Sequence, residues 1–161
     1  MPRTKAFNEE QVLEKALILF WRQGFQATSM QDLVEHLGIN RASMYSSFGS
    51  KRDLFEKAFD TYRKRNMNQV KAYLESVPSI REGLKSMLLQ GSTDTFDDGK
   101  IKGCMVVNCT SEFLPNDHEM FKVLSANKQQ FEKLMVNHFG NGKSERRVPP
   151  GPRLLRHCRY F

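Results

Sequence analysis

The chain has 161 residues, of which 39% are apolar and 27% charged, a composition typical of a soluble globular protein with one large or two small domains. It contains no apolar run long enough to span a bilayer, and no secretory signal follows its basic start, so we expect a cytoplasmic protein without membrane association. The cysteines and histidines are sparse and lack ligand spacing, which argues against a disulfide framework, a metal site or a cofactor.

The net charge of +7 is unevenly distributed along the chain. Residues 143–161 carry six basic side chains and one acidic one, so this tail supplies +5 and the rest of the chain +2. The basic isoelectric point is therefore weak support for nucleic-acid binding, and that case depends on the N-terminal residues themselves.

Apolar residues recur at helical spacing through most of the chain, and strand-like alternation is scarce, so the sequence predicts an all-α fold. The first predicted helix begins at about Asn8, its N-cap, and ends before Gly24. The second opens at Thr28, which has capping-box spacing to Gln31, and it ends at Gly38.

Two further helices follow in close succession. The third covers about Arg41–Phe48 and has Asn40 as its N-cap. The fourth begins after Ser50, with Asp53 placed to close a capping box, and it is long, with Pro78 as its limit.

Beyond this point the pattern predicts three more helices, over about 79–91, 103–113 and 117–139. The apolar run 104–107 lacks a clear amphipathic face, so we expect it to be buried on most sides. Leu84 and Met87 of the preceding helix are also expected in the core. The segment 143–161 is rich in Pro and Arg and is predicted to be disordered.

Residues Ser29–Phe48 have the layout of a helix-turn-helix, which is two short helices joined by a glycine-containing turn. Five apolar side chains can bury together and hold these helices crossed, namely Leu33, Leu37, Ile39, Met44 and Phe48. Five polar residues of the third helix are then left pointing outward, namely Arg41, Ser43, Tyr45, Ser46 and Ser47. Each of them alone has an ordinary explanation as a surface or packing residue, and it is their joint spacing that indicates a DNA-reading helix.

The outward residues suit the edges of bases in the major groove of DNA. Arg41 can pair with guanine through two hydrogen bonds or bind a phosphate. Ser43 and Ser46 are small, so the helix backbone can approach the bases closely, and their hydroxyls can donate or accept.

Other residues suit the phosphate backbone. Tyr45 offers a rigid hydroxyl, and Thr28 lies at a helix N-terminus, where free backbone N–H groups attract phosphate. Lys51 opens the fourth helix and is expected to grip the same strand. Arg3 and Lys5 form an N-terminal arm that can reach the backbone or the minor groove.

The stretch that contains these helices resembles the N-terminal domain of the tetracycline-repressor (TetR) family of transcriptional regulators. The resemblance covers about residues 8–60, and its motif residues are Gly24, Phe25, Thr28, Met44, Tyr45, Phe48, Lys51 and Leu54. Residues 103–108 resemble, more weakly, a run found in one branch of that family. The resemblance implies a helix-turn-helix domain joined by a long fourth helix to a helical C-terminal domain for ligand binding and dimerisation.

The resemblance also implies roles for single residues. Tyr45 and Lys51 occupy positions that usually bind phosphates, and Arg41, Ala42, Ser43 and Ser46 occupy positions that approach bases. It further implies a homodimeric, ligand-responsive repressor that binds double-stranded operator DNA and an unidentified small-molecule effector. An effector pocket would be lined by Met87, Phe96, Met105, Phe113, Phe121 and Phe131, which helical spacing assigns equally well to a core.

We expect three regions: a helix-turn-helix domain over 1–52, a helical regulatory domain over 53–142 and the disordered tail over 143–161. The resemblance stops near Gly142, whereas members of the family continue through two further long helices that pair with a partner subunit. We therefore expect a truncated or out-of-frame end and a weakened dimer, which would bind an operator less tightly.

Other classes of function stay open. A helical ligand- or partner-binding protein with impaired DNA binding is the alternative that missing dimerisation helices favour. The sequence has no nucleophile elbow, phosphate-binding glycine loop or HExxH motif, so we expect no enzyme. Cys104 and Cys109 are five residues apart and face different directions on a helix, so we expect buried, inert thiols rather than a redox pair.

Overall fold

The computed structural model describes residues 7–77, 79, 81–87, 89, 103–113 and 117–140, so the predicted tail and arm lie outside the described residues. Every regular element within these ranges is an α-helix, as the sequence predicts. In chain order they are α1 (Glu9–Gln23), α2 (Met30–Leu37), α3 (Arg41–Phe48), α4 (Lys51–Ser76), α5 (81–87), α6 (Met105–Phe113) and α7 (His118–Gly140). None of the described helices is both long and apolar enough to cross a membrane.

The caps of α1, α3 and α4 are those predicted. The Asn8 side chain accepts hydrogen bonds from two backbone N–H groups of the first turn of α1, and Asn40 accepts from Ser43 N at 2.7 Å. Ser50 and Asp53 form a reciprocal capping box at the start of α4. These hydrogen bonds satisfy N–H groups that a helix start otherwise leaves without partners, and they fix where each helix begins.

The cap of α2 is not the predicted one. Ser29, rather than Thr28, is the N-cap, and it forms a capping box with Asp32, whose carboxylate accepts from Ser29 N at 2.8 Å. These hydrogen bonds hold the pKa of the Asp32 carboxyl below its usual value. Thr28 is fully buried instead, and its hydroxyl donates to Gly24 O at 2.6 Å. Both residue pairs have the spacing of a capping box, and the pair with the carboxylate forms it.

The core is one hydrophobic cluster that joins the first four helices to α6 and α7. Helix α1 packs against α2 and α4, and α7 packs against α4 and α6. An aromatic group forms its centre: the ring of Phe55 lies 5.2 Å from Phe20, 5.0 Å from Phe25 and 5.2 Å from Phe113, centroid to centroid. This cluster crosses the domain boundary predicted at residue 52, since α4 runs through it.

Helix α6 has a clear apolar face, contrary to the prediction for 104–107. Met105, Cys109 and Phe113 are buried and four residues apart, so they share one face of the helix, whereas Val107 is 51% exposed. Val106 and Val107 follow Met105 directly, so the sequence shows a continuous apolar run in which the four-residue spacing is not apparent. Two further burial predictions are also wrong, because Leu84 is exposed and Met87 is half-buried.

Candidate nucleic-acid interface

The two helices of the predicted motif are held by the apolar group that the sequence indicates. Leu33 and Leu37 of α2 and Met44 and Phe48 of α3 are all buried, and Ile39 in the turn packs against them. Gly38 ends α2 in the left-handed conformation, at φ +66°, a value that favours glycine. Gly38 thus ends α2 shortly before α3 begins, and α3 packs against α2.

The outer face of α3 is accessible. Arg41, Ala42, Tyr45 and Ser46 are exposed, with 47% of Tyr45 accessible, and Ser43 is partly exposed. Residues at these spacings lie on one side of a helix, opposite buried Met44 and Phe48. The predicted base-reading residues thus form one continuous surface strip with small side chains at its middle.

Hydrogen bonds already fix part of this strip. The hydroxyl of Ser46 donates to Ser43 O at 3.1 Å. Asn40 uses its side-chain oxygen to cap α3, and its amide NH2 group has no hydrogen-bond partner among the described residues. Sequence reasoning assigned Asn40 only the capping role. Since it is exposed at the start of the outward strip, it is a candidate donor to a phosphate or a base edge.

Two of the residues predicted to bind phosphate turn inward. The side chain of Thr28 is buried and its hydroxyl donates to Gly24 O, so the predicted phosphate contact at this position depends on the backbone N–H groups near the start of α2. The Lys51 ammonium donates to Phe25 O and to Thr28 O, each at 2.8 Å, and lies 4.4 Å from the centroid of the Phe25 ring. Lys51 thus holds the carbonyls of the α1–α2 turn, a role that its position at a helix start does not reveal. The arm residues Arg3 and Lys5 lie outside the described residues.

The described residues among those predicted to line an effector pocket lie in different environments. Met105 and Phe113 are buried in the core cluster, while Phe121 is 51% and Phe131 37% exposed. Met87 is half-buried on α5, and Phe96 lies outside the described residues. A cleft of about 240 Å³ lies elsewhere, between α4 and α7, and is lined by Glu56, Phe59, Asp60, Arg63, Glu119, Met120 and Val123.

The two described cysteines differ in environment. Cys109 is buried as expected, and burial together with the nearby Glu112 carboxylate raises the pKa of its thiol to about 12, so it stays protonated near neutral pH. Cys104 is exposed, contrary to the expectation, because it precedes the first turn of α6. In the part of the chain that the structure describes, no three His, Cys, Asp or Glu side chains are grouped to hold a metal ion.

Comparisons with known proteins agree with this geometry. Residues 12–58 match the model described as "Bacterial regulatory proteins, tetR family". The uncharacterized HTH-type transcriptional regulator YezE of Bacillus subtilis (strain 168) is 34% identical over 145 residues, which cover 90% of this chain and 75% of YezE. The HTH-type transcriptional repressor ComR of Escherichia coli (strain K12) is 26% identical, over 92% of this chain and 71% of ComR.

A solved structure is similar in both fold and sequence. It is a cysteine-substituted variant of the TetR family transcriptional regulator CifR, complexed with 26 bp double-strand operator DNA. Its TM-score is 0.75 at 28% sequence identity, and the match covers 89% of this chain and 74% of the CifR chain.

Proposed function

The chain belongs to the TetR family of transcriptional regulators, and on this premise we propose how it binds DNA and what controls the binding. Helix α3 enters the major groove of an operator. Arg41, Ala42, Ser43 and Ser46 approach the base edges, and the Tyr45 hydroxyl binds a phosphate oxygen.

One observation supports this proposal most strongly. The strip of α3 that carries these residues is exposed, while the opposite face of the same helix is anchored by fully buried Met44 and Phe48. A helix held in this way presents small polar side chains on a rigid support. Such a surface fits a groove about 12 Å wide, whereas bulky side chains would keep the backbone away from the bases.

We further propose that the protein is a cytoplasmic repressor that binds its operator as a homodimer and releases it when a small molecule binds the helical part beyond α4. Relatives such as ComR are named as repressors, which supports the repressor role, and the CifR complex with operator DNA supports operator binding. The cleft between α4 and α7 is a candidate site for the effector. Both helices contribute to the core cluster that also contains α1–α3, so a molecule bound there would contact helices that pack with the DNA-binding part.

Selection of duplexes from a random DNA pool tests the proposal. We expect a palindromic sequence, because two copies related by a two-fold axis read two half-sites about one helical turn apart. We expect Arg41→Ala to change the selected sequence. The matched control Lys71→Ala removes an exposed basic side chain from the distant half of α4 and should select the same sequence as the wild type.

A gel-shift assay with random genomic fragments addresses the remaining alternative. A helical partner-binding protein without DNA binding would give no retarded species at moderate salt. The proposed regulator gives a retarded protein–DNA complex. Its affinity for DNA falls steeply as the salt concentration rises, because binding to phosphates releases the counterions that surround DNA.

A further inference from the structure

The α1–α2 turn, residues 24–29, is held by side chains from two other helices. On one side, the Glu112 carboxylate of α6 accepts hydrogen bonds from Phe25 N at 2.9 Å and from Gln26 N at 2.6 Å. On the other side, Lys51 of α4 donates to the carbonyls of Phe25 and Thr28. A negative group therefore holds the N–H groups of the turn and a positive group holds its C=O groups, and charge strengthens both sets of hydrogen bonds.

The turn is shaped to admit Glu112. Gly24 ends α1 at φ +85°, and a Cβ atom there would lie 3.1 Å from Glu112 Oε1. Any other residue at this position would be strained and would crowd the carboxylate. The position that ends α1 is thus also the position that lets α6 approach.

Helix α6 is itself fixed to the N-terminal helices on both sides of Glu112. The next residue, Phe113, places its ring 5.1 Å from Phe25, centroid to centroid. Before the start of α6, Gly103 O accepts a hydrogen bond from Trp21 Nε1 at 3.1 Å. These contacts hold α6 beside the turn, so the position of the Glu112 carboxylate follows that of α6.

The turn leads directly into α2. Residue Ser29 is the N-cap of α2, and α2 supports α3 through Leu33 and Leu37. We propose that Glu112 is a positioning residue for operator binding: it fixes the α1–α2 turn relative to α6 and thereby sets the placement of α2 and α3 on DNA. The inference rests on the proposed DNA-binding function.

The first arm of the test uses the DNA-free protein. Glu112→Gln keeps the size of the side chain but offers one acceptor oxygen, and its NH2 group faces a second N–H donor. We expect amide hydrogen exchange at Phe25 and Gln26 to accelerate by roughly tenfold or more, on the order of one lost charge-assisted hydrogen bond. The control Glu75→Gln alters an exposed carboxylate near the end of α4 and should leave both amides unchanged.

The second arm measures affinity for the duplex that the wild-type protein selects and for a random duplex of equal length. Glu112→Gln should weaken binding to the selected duplex by about tenfold and leave binding to the random duplex and the salt dependence nearly unchanged. Binding to a random duplex is mainly electrostatic attraction to phosphates, which tolerates a shift of α2 and α3 better than contacts with base edges do. A purely structural role would lower the melting temperature without changing this specificity ratio at temperatures well below melting.

Each outcome decides the matter. Faster amide exchange with an unchanged specificity ratio, or unchanged exchange, overturns the positioning role while the proposed function stands. Failure of the wild-type protein to select any duplex removes the proposed function, and the positioning role with it. If Glu112→Gln does not fold, Glu112→Asp gives the same measurement, and its shorter carboxylate should cause a smaller loss in the same direction.

Discussion

Replacing Lys51 with methionine separates two roles for this residue, a phosphate contact and an internal support of the α1–α2 turn. The change removes two hydrogen bonds of 2.8 Å and a cation–π contact at 4.4 Å from the Phe25 ring, while the methionine keeps most of the apolar stem. Because Lys51 is partly exposed, we take about 1 kcal/mol for each hydrogen bond and less for the ring contact. The expected loss of unfolding free energy is about 2 kcal/mol.

Thermal unfolding followed by circular dichroism measures this loss. For a domain of this size, about 2 kcal/mol corresponds to a melting temperature lower by roughly 4–8 °C. The control Lys71→Met removes an exposed lysine whose ammonium lies 3.9 Å from Glu75, and it should change the unfolding free energy by less than about 0.5 kcal/mol. An unchanged melting temperature for Lys51→Met, together with a salt slope of DNA binding reduced by about one, would refute the internal role and restore the phosphate contact.

Three further changes test other parts of the structure. Tyr45→Phe should weaken binding to all duplexes by roughly tenfold, the worth of one hydrogen bond to a phosphate, without a change in melting temperature; equal affinity would remove the hydroxyl from the interface. Leu33→Ala should cost about 3–4 kcal/mol in urea unfolding, since Leu33 is fully buried and supports both α2 and α3. Asp117→Asn breaks the ion pair with Arg52, which holds the pKa of Asp117 at about 2, yet it keeps an acceptor for Met120 N. Its cost, about 1 kcal/mol near neutral pH, should disappear as the pH falls from about 4 toward 2, because Asp117 is then protonated in the wild type as well; a cost that stays constant over this range would contradict the ion pair.

The helix starts and the exposed strip of α3 were predictable because they depend on residues close together in sequence. Asn8, Asn40 and Ser50 cap helices through bonds within three residues, and the outward strip of α3 follows from the spacing of Met44 and Phe48. The prediction that Thr28 caps α2 was wrong. The pairs Thr28–Gln31 and Ser29–Asp32 have the same spacing, and the burial of Thr28 in the tertiary structure leaves the capping role to Ser29.

The contacts that hold the α1–α2 turn were not predictable in this way. Glu112 lies 87 residues from Phe25 in sequence, and nothing in the local pattern of either residue marks their hydrogen bond. The direction of the Lys51 side chain likewise depends on where the carbonyls of a distant turn lie. The predicted pocket residues Met105 and Phe113 have the composition of a ligand site, and only packing assigns them to the core.

The aromatic group around Phe55 bears on how this protein can be engineered. A fragment that contains α1–α3 and ends within α4 would expose the rings of Phe25 and Phe55 to water, since Phe113 of α6 covers them in the whole chain. A chimera that joins these first helices to a different ligand-binding domain should therefore include α6, or supply another side chain of similar volume in the place of the Phe113 ring. Without such a side chain, the exposed aromatic surface is expected to cause aggregation.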